Sequence, residues 1–289
     1  MKSAIRKFPI PNTKCLKVKQ LVEPHFDPTW HFHPEFQLAC VFQGTGTRYV
    51  GDDISQFDSD DMVLTGANLP HVWRSDDKYF ENKGLSTKVI VTYFSPDFMG
   101  DIFLNKDEMA RIKQLLISAD RGIEIVGNTK KKIRKIVQKM YRQEGFEEVL
   151  SLLHILHILS TSNDLRMINK QGYVNRVSDS DSTRMQLVHN YILNHYKTEI
   201  RLEEIAKLAN MAPNSFSRYF KSRTNKSFTD FIAELRISMA CKLLKSNNQS
   251  VIQIAYECGY KTLSNFNKKF KEITGTTPKM YRKNYLQIL

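Results

Sequence analysis

Cysteine is scarce in this sequence. Its 289 residues include four cysteines, Cys15, Cys40, Cys241 and Cys258, which lie far apart and form no CxxC pair. Four thiols are too few to staple a chain of this length with disulfides, which excludes a disulfide-stabilised extracellular scaffold. We expect reduced cysteines packed in the core.

Long apolar runs are absent as well. No stretch approaches the ~18 to 20 apolar residues needed to cross a membrane, so we expect neither a membrane span nor a membrane partner. The start of the sequence, MKSAIRKFPIPNTKC, is basic but contains no apolar stretch followed by a small-residue cleavage site. It therefore predicts no secretory signal, and a cytoplasmic location is expected.

Acidic residues are few in the last part of the chain. Residues 183–289 contain 18 Lys and Arg but only 7 Asp and Glu, whereas residues 1–182 contain 25 and 23. Most of the formal net charge of +13 therefore lies in the last part. Such a concentration of positive charge favours a polyanionic partner, usually nucleic acid. A basic surface that is only solvated is the alternative, which charge alone leaves open.

The periodicity of apolar residues changes near residue 105. Before it, short alternating runs such as residues 36–42 and 88–94 are separated by Gly, Pro, Asn and Asp, a pattern typical of a sandwich or barrel. After it, helical spacing predicts three helices before residue 160. The predicted fold is multi-domain, α and β: a small β-barrel over residues 1–100, a helical segment over 101–162, a polar linker over 163–182 and an all-α domain over 183–289.

The basic last part contains an internal repeat at an offset of 49 or 50 residues. Each copy is a short apolar-faced helix, a tight break and a second helix with Phe at i and i+4, which is a helix-turn-helix pattern written twice. The matching positions are Leu202, Ile205, Ala206, Ala209 and SFSRYFK at 215–221 in one copy, and Val251, Ile254, Ala255, Cys258 and NFNKKFK at 265–271 in the other.

The second helix of each copy has a polar face suited to DNA. With the Phe pair packed inward, the opposite face carries side chains able to reach base edges and phosphates in a major groove. These are Asn214, Ser217, Arg218 and Lys221 in the first copy, and Ser264, Asn267, Lys268 and Lys271 in the second. A connecting helix over about residues 228–244 would be ~25 Å long, which predicts recognition helices about one duplex turn, ~34 Å, apart. A helical bundle with solvated basic faces is the alternative.

The run IAYECGYKTLSNFNKKFKEITGTTPKMYRK, residues 254–283, resembles the second helix-turn-helix signature of the AraC/XylS transcription regulators. Gly259 falls at the turn of that signature. Its closing GxTPxxYR pattern is formed by Gly275, Thr277, Pro278, Tyr281 and Arg282. The resemblance, which extends to the first copy, implies double-stranded promoter DNA as the partner and adds Asn265 to the DNA-facing positions.

Three positions depart from the family pattern. Ala212 stands where a Ser usually caps the first recognition helix, a loss of ~1 kcal/mol. Asn225 replaces the usual Gly after that helix, and Asn is the next most tolerant residue of a left-handed backbone. Lys268 replaces the commoner Arg, so bidentate guanine recognition gives way to a point charge. Weaker sequence preference is expected through the second helix.

The front part contains a histidine pattern. His31 and His33 point to one side of a predicted strand, and a later strand is expected to bring His71 beside them. This spacing alone is compatible with a metal ion.

Residues 31–52 and 57–73 resemble the small cupin barrel that forms the effector-binding domain of many AraC-type regulators. The resemblance implies that the ligands of a metal-binding cupin, an HxH pair, a Glu and a later His, would fall on His31, His33, Gln37 and His71. Gln37 is a poorer ligand than a carboxylate, with Glu35 as its substitute if the strand is irregular after Pro34. The sequence therefore favours a small-molecule site with no cofactor and ranks a metal ion lower.

Aromatic rings and a guanidinium suit a sugar or carboxylate ligand, although Trp30, Arg48 and Trp73 could equally pack the barrel. The expected effector-binding residues are His31, His33, Glu35, Gln37, Arg48, His71 and Trp73. His154 and His157 are interpreted as core or interface residues, because their helix is apolar nearly all round.

Residues 101–162 resemble the segment through which AraC-type regulators dimerise, and a narrow apolar stripe in residues 130–140 suits a partner helix. The sequence therefore predicts a homodimer.

The leading hypothesis is a ligand-responsive transcription regulator without enzymatic activity. By the habit of the family it would be an activator, with RNA polymerase as a further partner. One alternative is a cupin-type metalloenzyme, an isomerase or dioxygenase, with an appended DNA-binding domain; Gln37 argues against it. Another is an architectural DNA-binding protein without an effector.

Overall fold

The structure is a computed structural model that describes residues 10–11, 13–81, 83–171, 173, 179–246 and 249–286. The chain divides into two compact units, with the main boundary between Asp179 and Ser180. Among the described residues, no helix is both long enough and apolar enough to span a bilayer. Cys40 and Cys258 are buried, and all four thiols are unbonded, which agrees with the prediction of reduced cysteines.

The first unit is built on two β-sheets. Its strands are Leu16–Glu23 (β1), Phe36–Gln43 (β2), Gly46–Val50 (β3), Asp53–Phe57 (β4), Met62–Thr65 (β5), His71–Ser75 (β6), Thr87–Phe94 (β7), Ile123–Ile125 (β8) and Leu165–Met167 (β9). The larger sheet has the order β1-β7-β2-β5-β8-β9 with every pair antiparallel, and the smaller has the order β4-β3-β6.

Strand β2 shows why the larger sheet is apolar on both faces. Side chains of a strand alternate between faces, so Ala39 and Val41 pack with residues of the smaller sheet in a core between the two sheets. Leu38 and Cys40 pack on the other face, against the helices that follow the β part. Because β2 is buried on both sides, it reads as a nearly continuous apolar run.

Four helices follow the β part and cover the outer face of the larger sheet. Their bounds are Asp101–Leu104 (α1), Ala110–Ser118 (α2), Gly127–Met140 (α3) and Phe146–Ser160 (α4), with short 3₁₀ turns at Asp77–Phe80, Asp107–Met109 and Ala119–Arg121. The three longer helices agree with the prediction. The apolar stripe of α3, interpreted as a partner surface, packs instead into the chain's own core, where Ile133, Val137 and Met140 are fully buried.

The β part extends beyond the predicted limit of residue 100, because β8 and β9 complete the larger sheet. The linker predicted over residues 163–182 is therefore wrong for β9. Its polar composition has a structural cause: Asp164 Oδ2 accepts a hydrogen bond from the N–H of Thr129, and the buried Asn169 donates to the carbonyl of Arg121. Of the remaining stretch, residues 172 and 174–178 lie outside the described part.

From Ser180 onward, the described residues of the second unit form helices joined by short turns, as predicted. Its helices are Asp179–His195 (α5), Leu202–Leu208 (α6), Pro213–Thr224 (α7), Phe228–Ser246 (α8), Val251–Glu257 (α9), Leu263–Thr274 (α10) and Pro278–Leu286 (α11). Helix α8 contacts α7 of the first copy and α9, α10 and α11 of the second. It is the shared element of both helix-turn-helix copies.

Both tight breaks use a left-handed residue. Gly259 has φ of +83°, and a Cβ there would lie 2.7 Å from the carbonyl oxygen of Lys197, so only glycine fits. In the first copy the equivalent residue is Asn210, with φ of +53°. Asn tolerates this conformation because its short polar side chain can bond to the local backbone.

Candidate DNA interface and buried histidine cluster

Helix α7 owes its orientation to two phenylalanines. Phe216 and Phe220 are fully buried, and their ring centroids lie 5.7 and 5.6 Å from that of Phe228 at the start of α8. Residues two positions away lie on the opposite side of a helix. Asn214 and Arg218 lie on that side and are exposed; Lys221, next to Phe220, is also exposed, and Ser217 is half-buried.

Helix α10 repeats this arrangement. Phe266 and Phe270 are fully buried, where they contact the rings of Tyr260 and Tyr281. The outer side of the helix carries the predicted DNA-facing side chains, all of them exposed: Ser264, Asn265, Asn267, Lys268 and Lys271. Each copy therefore presents a polar, basic face on its second helix.

Among the residues that the structure describes, the cations on these faces form no ion pair. Nearby lysines do: Lys226 pairs with Glu234, Lys261 with Glu199 and Lys269 with Glu272. Within the described part of the chain, by contrast, no ion pair involves Arg218, Lys221, Lys268 or Lys271. Their charge is thus available to phosphates and base edges.

The helix ends agree with the departures noted in the sequence. Ala212 is the N-cap residue of α7 and offers no side-chain acceptor, whereas the hydroxyl of Thr262 at the N-cap of α10 accepts from the N–H of Asn265. At the C-termini, Asn225 and Gly275 both adopt the left-handed conformation, with φ of +56° and +74°. Asn225 therefore ends α7 in the same left-handed conformation that Gly275 adopts at the end of α10.

Arg236 on α8 has a positioning role that the sequence did not reveal. Its guanidinium donates to the carbonyl oxygens of Tyr196 and Thr198, both at 2.7 Å, and lies over the ring of Tyr260. One side chain thus joins the end of α5, the connecting helix and the turn of the second copy. Gly259 packs against the carbonyl groups of Tyr196 and Lys197 in the same segment after α5.

Comparison with known proteins agrees with this arrangement. Residues 205–284, spanning α6 to most of α11, match the family described as helix-turn-helix domain. The transcriptional regulator YdeC of Bacillus subtilis is 23% identical over 88% of this chain and 85% of its own length. The transcriptional activator RhaS of Escherichia coli is 22% identical over 90% and 89%.

Residues 205–284 form an AraC-type helix-turn-helix domain, and the chain is a DNA-binding transcription regulator. Among solved structures, the C-terminal domain of AraT, a response regulator from Geobacillus stearothermophilus, is 29% identical over 38% of this chain and 88% of that chain, with a TM-score of 0.35.

The front unit of this regulator contains a cluster of buried histidines. His31, His33 and His71 are 8%, 1% and 1% exposed, and one ring nitrogen from each lies within 4.8 Å of the others. His31 and His71 exchange two backbone hydrogen bonds, and the carbonyl of His33 accepts from the N–H of Asn68. The sequence prediction that a later strand brings His71 beside the pair agrees with this geometry.

Gln37 and Glu35 lie on different sides of His33. Gln37 Oε1 is 3.2 Å from His33 Nε2, whereas Glu35 Oε2 is 3.4 Å from Nδ1 on the other side of the ring. Glu35 therefore stands behind His33, away from the space shared by the three rings. This placement does not agree with the alternative in which Glu35 takes the place of Gln37 as a metal ligand.

Arg48 and Trp73, assigned to the effector-binding set, both bond to an acidic residue that the sequence analysis missed. The guanidinium of Arg48 pairs with Asp61 Oδ1, and the indole N–H of Trp73 donates to Asp61 Oδ2 at 2.8 Å. Burial raises the pKa of Asp61, while Arg48 and the indole N–H oppose that rise. The network thus buries the Arg48–Asp61 charge pair between the two sheets. Trp30 is also buried, and its ring packs against that of Phe32.

Proposed function

We propose that each chain of this regulator contacts two successive major grooves of promoter DNA. The observation that carries the proposal is the duplicate face: α7 and α10 both expose polar and basic side chains opposite a buried Phe pair. Helix α8, which joins the two copies, has 19 residues and is therefore ~28 Å long. That length suits recognition helices about one duplex turn, ~34 Å, apart.

The nine DNA-facing residues divide by chemistry. Asn214, Arg218, Asn265 and Asn267 can form directed hydrogen bonds to base edges, whereas Lys221, Lys268 and Lys271 supply charge to the phosphates. Ser217 and Ser264 can bond to either. Sequence preference is therefore expected mainly from α7, through Arg218.

A competition experiment tests the proposal. A promoter fragment should be bound ~10³-fold or more tightly than random DNA of the same length, and the affinity should fall steeply with salt. Equal affinities for both fragments would contradict a sequence-specific regulator and would favour an architectural protein.

We further infer that the regulator responds to a small molecule bound in the front unit. The support is the concentration of polar side chains between the two sheets, where Gln37, Arg48 and His71 are each at most 4% exposed. Burial of polar groups is costly and is retained where they are paired or used. A sugar or a small carboxylate suits the donors and acceptors present.

We also infer a homodimer, formed through α4 rather than through α3. Phe146 is 72% and Leu150 43% exposed, and they continue along the helix with Leu153, His154 and His157. Residues at i, i+4, i+7 and i+11 lie on one face. His154 and His157 are exposed, so the interpretation as core residues is wrong and the interface interpretation is the one we propose.

Activation is expected, with RNA polymerase as the further partner, since RhaS is an activator by name. Transcription in vitro from a bound promoter should rise when the regulator is added to polymerase, and a fall would identify a repressor.

A further inference from the structure

We propose that a cleft on the outer face of the larger sheet, at the C-terminal end of α3, binds a nucleoside polyphosphate. The cleft has a volume of about 720 Å³, which is within the range of small-molecule sites. It lies on the opposite face of the sheet from the polar side chains between the two sheets. The proposal therefore goes beyond the proposed function and does not depend on it.

The floor of the cleft is the end of the larger sheet next to the last turn of α3. Ile90 of β7 packs in the core under the helices, and Gln20 of β1 is its cross-strand neighbour on the same face. One row further along, Lys88 of β7 pairs with Val22 of β1, which is 55% exposed. Because α3 ends at Met140, this last row of the sheet is left partly open to a ligand.

Phe42 enters the floor at an irregularity of β2. The register between β2 and β7 shifts at this residue, which is extra in the ladder, as in a β-bulge. Its ring lies under the guanidinium of Arg134, which is 4.0 Å from the ring centroid. Arg134 also donates to the carbonyl of Val41 at 3.2 Å and pairs with Asp60. The ring is thus held in place where the ladder is interrupted, and bulges often lie next to functional sites.

Three cations surround the opening of the cleft. Lys88 comes from the sheet, and the exposed Lys139 and Arg142 come from the end of α3. Among the residues that the structure describes, none of the three forms an ion pair, and the lining of the cleft, all of it described, contains no acidic residue. The C-terminus of a helix contributes only about half a negative charge. The excess of positive charge suits a ligand with several negative charges, such as a chain of phosphates.

An aromatic ring and amides stand beside these cations. Tyr141 directly follows α3 and lines the cleft with 42% of its surface exposed. Gln20 and Gln138 also line it, and a glutamine amide can both donate and accept hydrogen bonds. Nucleic acid bases stack on exposed aromatic rings, and amides suit the polar edges of a base. Inorganic phosphate would use only the cations, whereas a nucleotide would use all three kinds of group.

The cleft borders the connection between α3 and α4. Gln143, which also lines it, accepts a hydrogen bond from the hydroxyl of Ser151 on α4 at 2.7 Å. Tyr141 and Arg142 belong to the same connection. A bound nucleotide would therefore hold the chain where it enters α4, and it should raise the melting temperature of the protein, because only the folded chain forms the cleft.

The test uses the full-length chain and a GTP analogue that carries a fluorescent N-methylanthraniloyl group on its ribose, with binding followed by fluorescence anisotropy. Unlabelled GTP, ATP, guanosine and tripolyphosphate then compete with it. We expect displacement by GTP or ATP, and competition by guanosine or tripolyphosphate that is at least roughly tenfold weaker, because each lacks one half of the ligand. Equal competition by tripolyphosphate would show that only phosphates are bound and would overturn the nucleotide site.

Two sets of variants locate the site. Lys139→Ala with Arg142→Ala should weaken binding of the labelled nucleotide at least roughly tenfold, because it removes two charged hydrogen-bond donors. Tyr141→Ala should weaken it by roughly tenfold through the loss of stacking, and Tyr141→Phe, which keeps the ring, should retain the wild-type affinity. These residues are all exposed, so the variants should fold like the wild-type chain.

The matched control is Lys131→Ala with Lys135→Ala, which removes two exposed charges from the same helix outside the cleft. It should keep the wild-type affinity for the labelled nucleotide. Equal losses in the two double variants would show a general effect of charge and overturn the site. A nucleotide bound to the basic second unit instead would be unaffected by either pair, and that result would also overturn the proposal.

Discussion

Arg218 is the side chain on which we expect sequence recognition to depend most. It is exposed on α7 and has no ion-pair partner among the described residues, so its fork of donors is available for a guanine edge. Arg218→Ala should cost about 1–3 kcal/mol on the promoter and relax preference at one base pair. Competition binding against single-base promoter variants measures this loss.

The control is Lys207→Ala, which removes the same charge from the exposed side of α6. It should weaken promoter and random DNA alike, and only slightly. If Arg218→Ala behaves in the same way, with equal losses on both DNAs, Arg218 contacts phosphate and not a base.

His189 predicts a pH dependence for the second unit. It is buried on α5 against the ring of Phe231, and burial lowers its pKa to about 3. The unfolded chain takes up a proton near pH 6.5 and the native chain does not, so the stabilisation present above pH 6.5 is lost as the pH falls. The slope is about 1.4 kcal/mol per pH unit, or about 2 kcal/mol between pH 6.5 and pH 5.

Urea unfolding of the second unit at several pH values measures this slope. His189→Leu should remove the contribution below pH 6.5, whatever its stability at neutral pH. The control His195→Gln changes an exposed histidine on the same helix and should leave the slope unchanged. An unchanged slope in His189→Leu would assign the acid sensitivity to other groups.

At the scale of the helix, the two recognition helices differ in their caps. Helix α7 starts at an exposed Ala212 with no side-chain acceptor, and α10 starts at Thr262, whose hydroxyl accepts from the N–H of Asn265. Ala212→Thr should therefore stabilise the second unit by about 1 kcal/mol, and Thr262→Ala should destabilise it by about as much.

Chemical denaturation of both variants measures these changes in the free energy of unfolding. Equal m-values would show that the unfolded state has not changed. A loss of stability in Ala212→Thr would mean that the extended residue before α7 does not present its side chain to the first turn.

The sequence predicted the elements that carry a local pattern and missed those that are too short to show one. The Phe pairs at i, i+4 and the breaks around Met211 and Gly259 set the helices of the second unit, because each is a local pattern. Strands β8 and β9 have three residues each, too few for a period to appear. Their positions are set by tertiary contacts, because β8 pairs with β5 and β9 pairs with β8.

The sequence located the amphipathic helices correctly but did not always identify the surface against which each one packs. The stripe of α3 and the exposed residues of α4 are both apolar, and spacing alone does not say which one the chain buries. In the structure, Ile133 and Val137 of α3 pack on the outer face of the larger sheet. Phe146 of α4 is exposed. The pairing of Arg48 with Asp61 was missed for the same reason, since 13 residues of chain separate two side chains that only the fold brings together.

At the scale of the whole molecule, the exposed face of α4 predicts dimerisation. The double variant Phe146→Glu with Leu150→Glu should shift the protein from dimer to monomer in sedimentation at micromolar concentration, because it places charges in an apolar contact. Ile117→Glu, a matched change at an exposed apolar residue of α2, should leave the dimer intact. A monomeric wild-type chain would refute the dimer.

On the scale of the complex with DNA, one chain is proposed to place two helices in successive major grooves at a spacing fixed by α8. The most direct measurement is the affinity for promoter fragments in which ~5 or ~10 base pairs are inserted between the two contacted segments. A half-turn insertion turns one groove away from its helix, so both insertions should reduce affinity to that of a single copy, and Lys268→Ala should then cost nothing further. Unchanged affinity with the half-turn insertion would show that the two helices do not bind successive grooves at a fixed spacing.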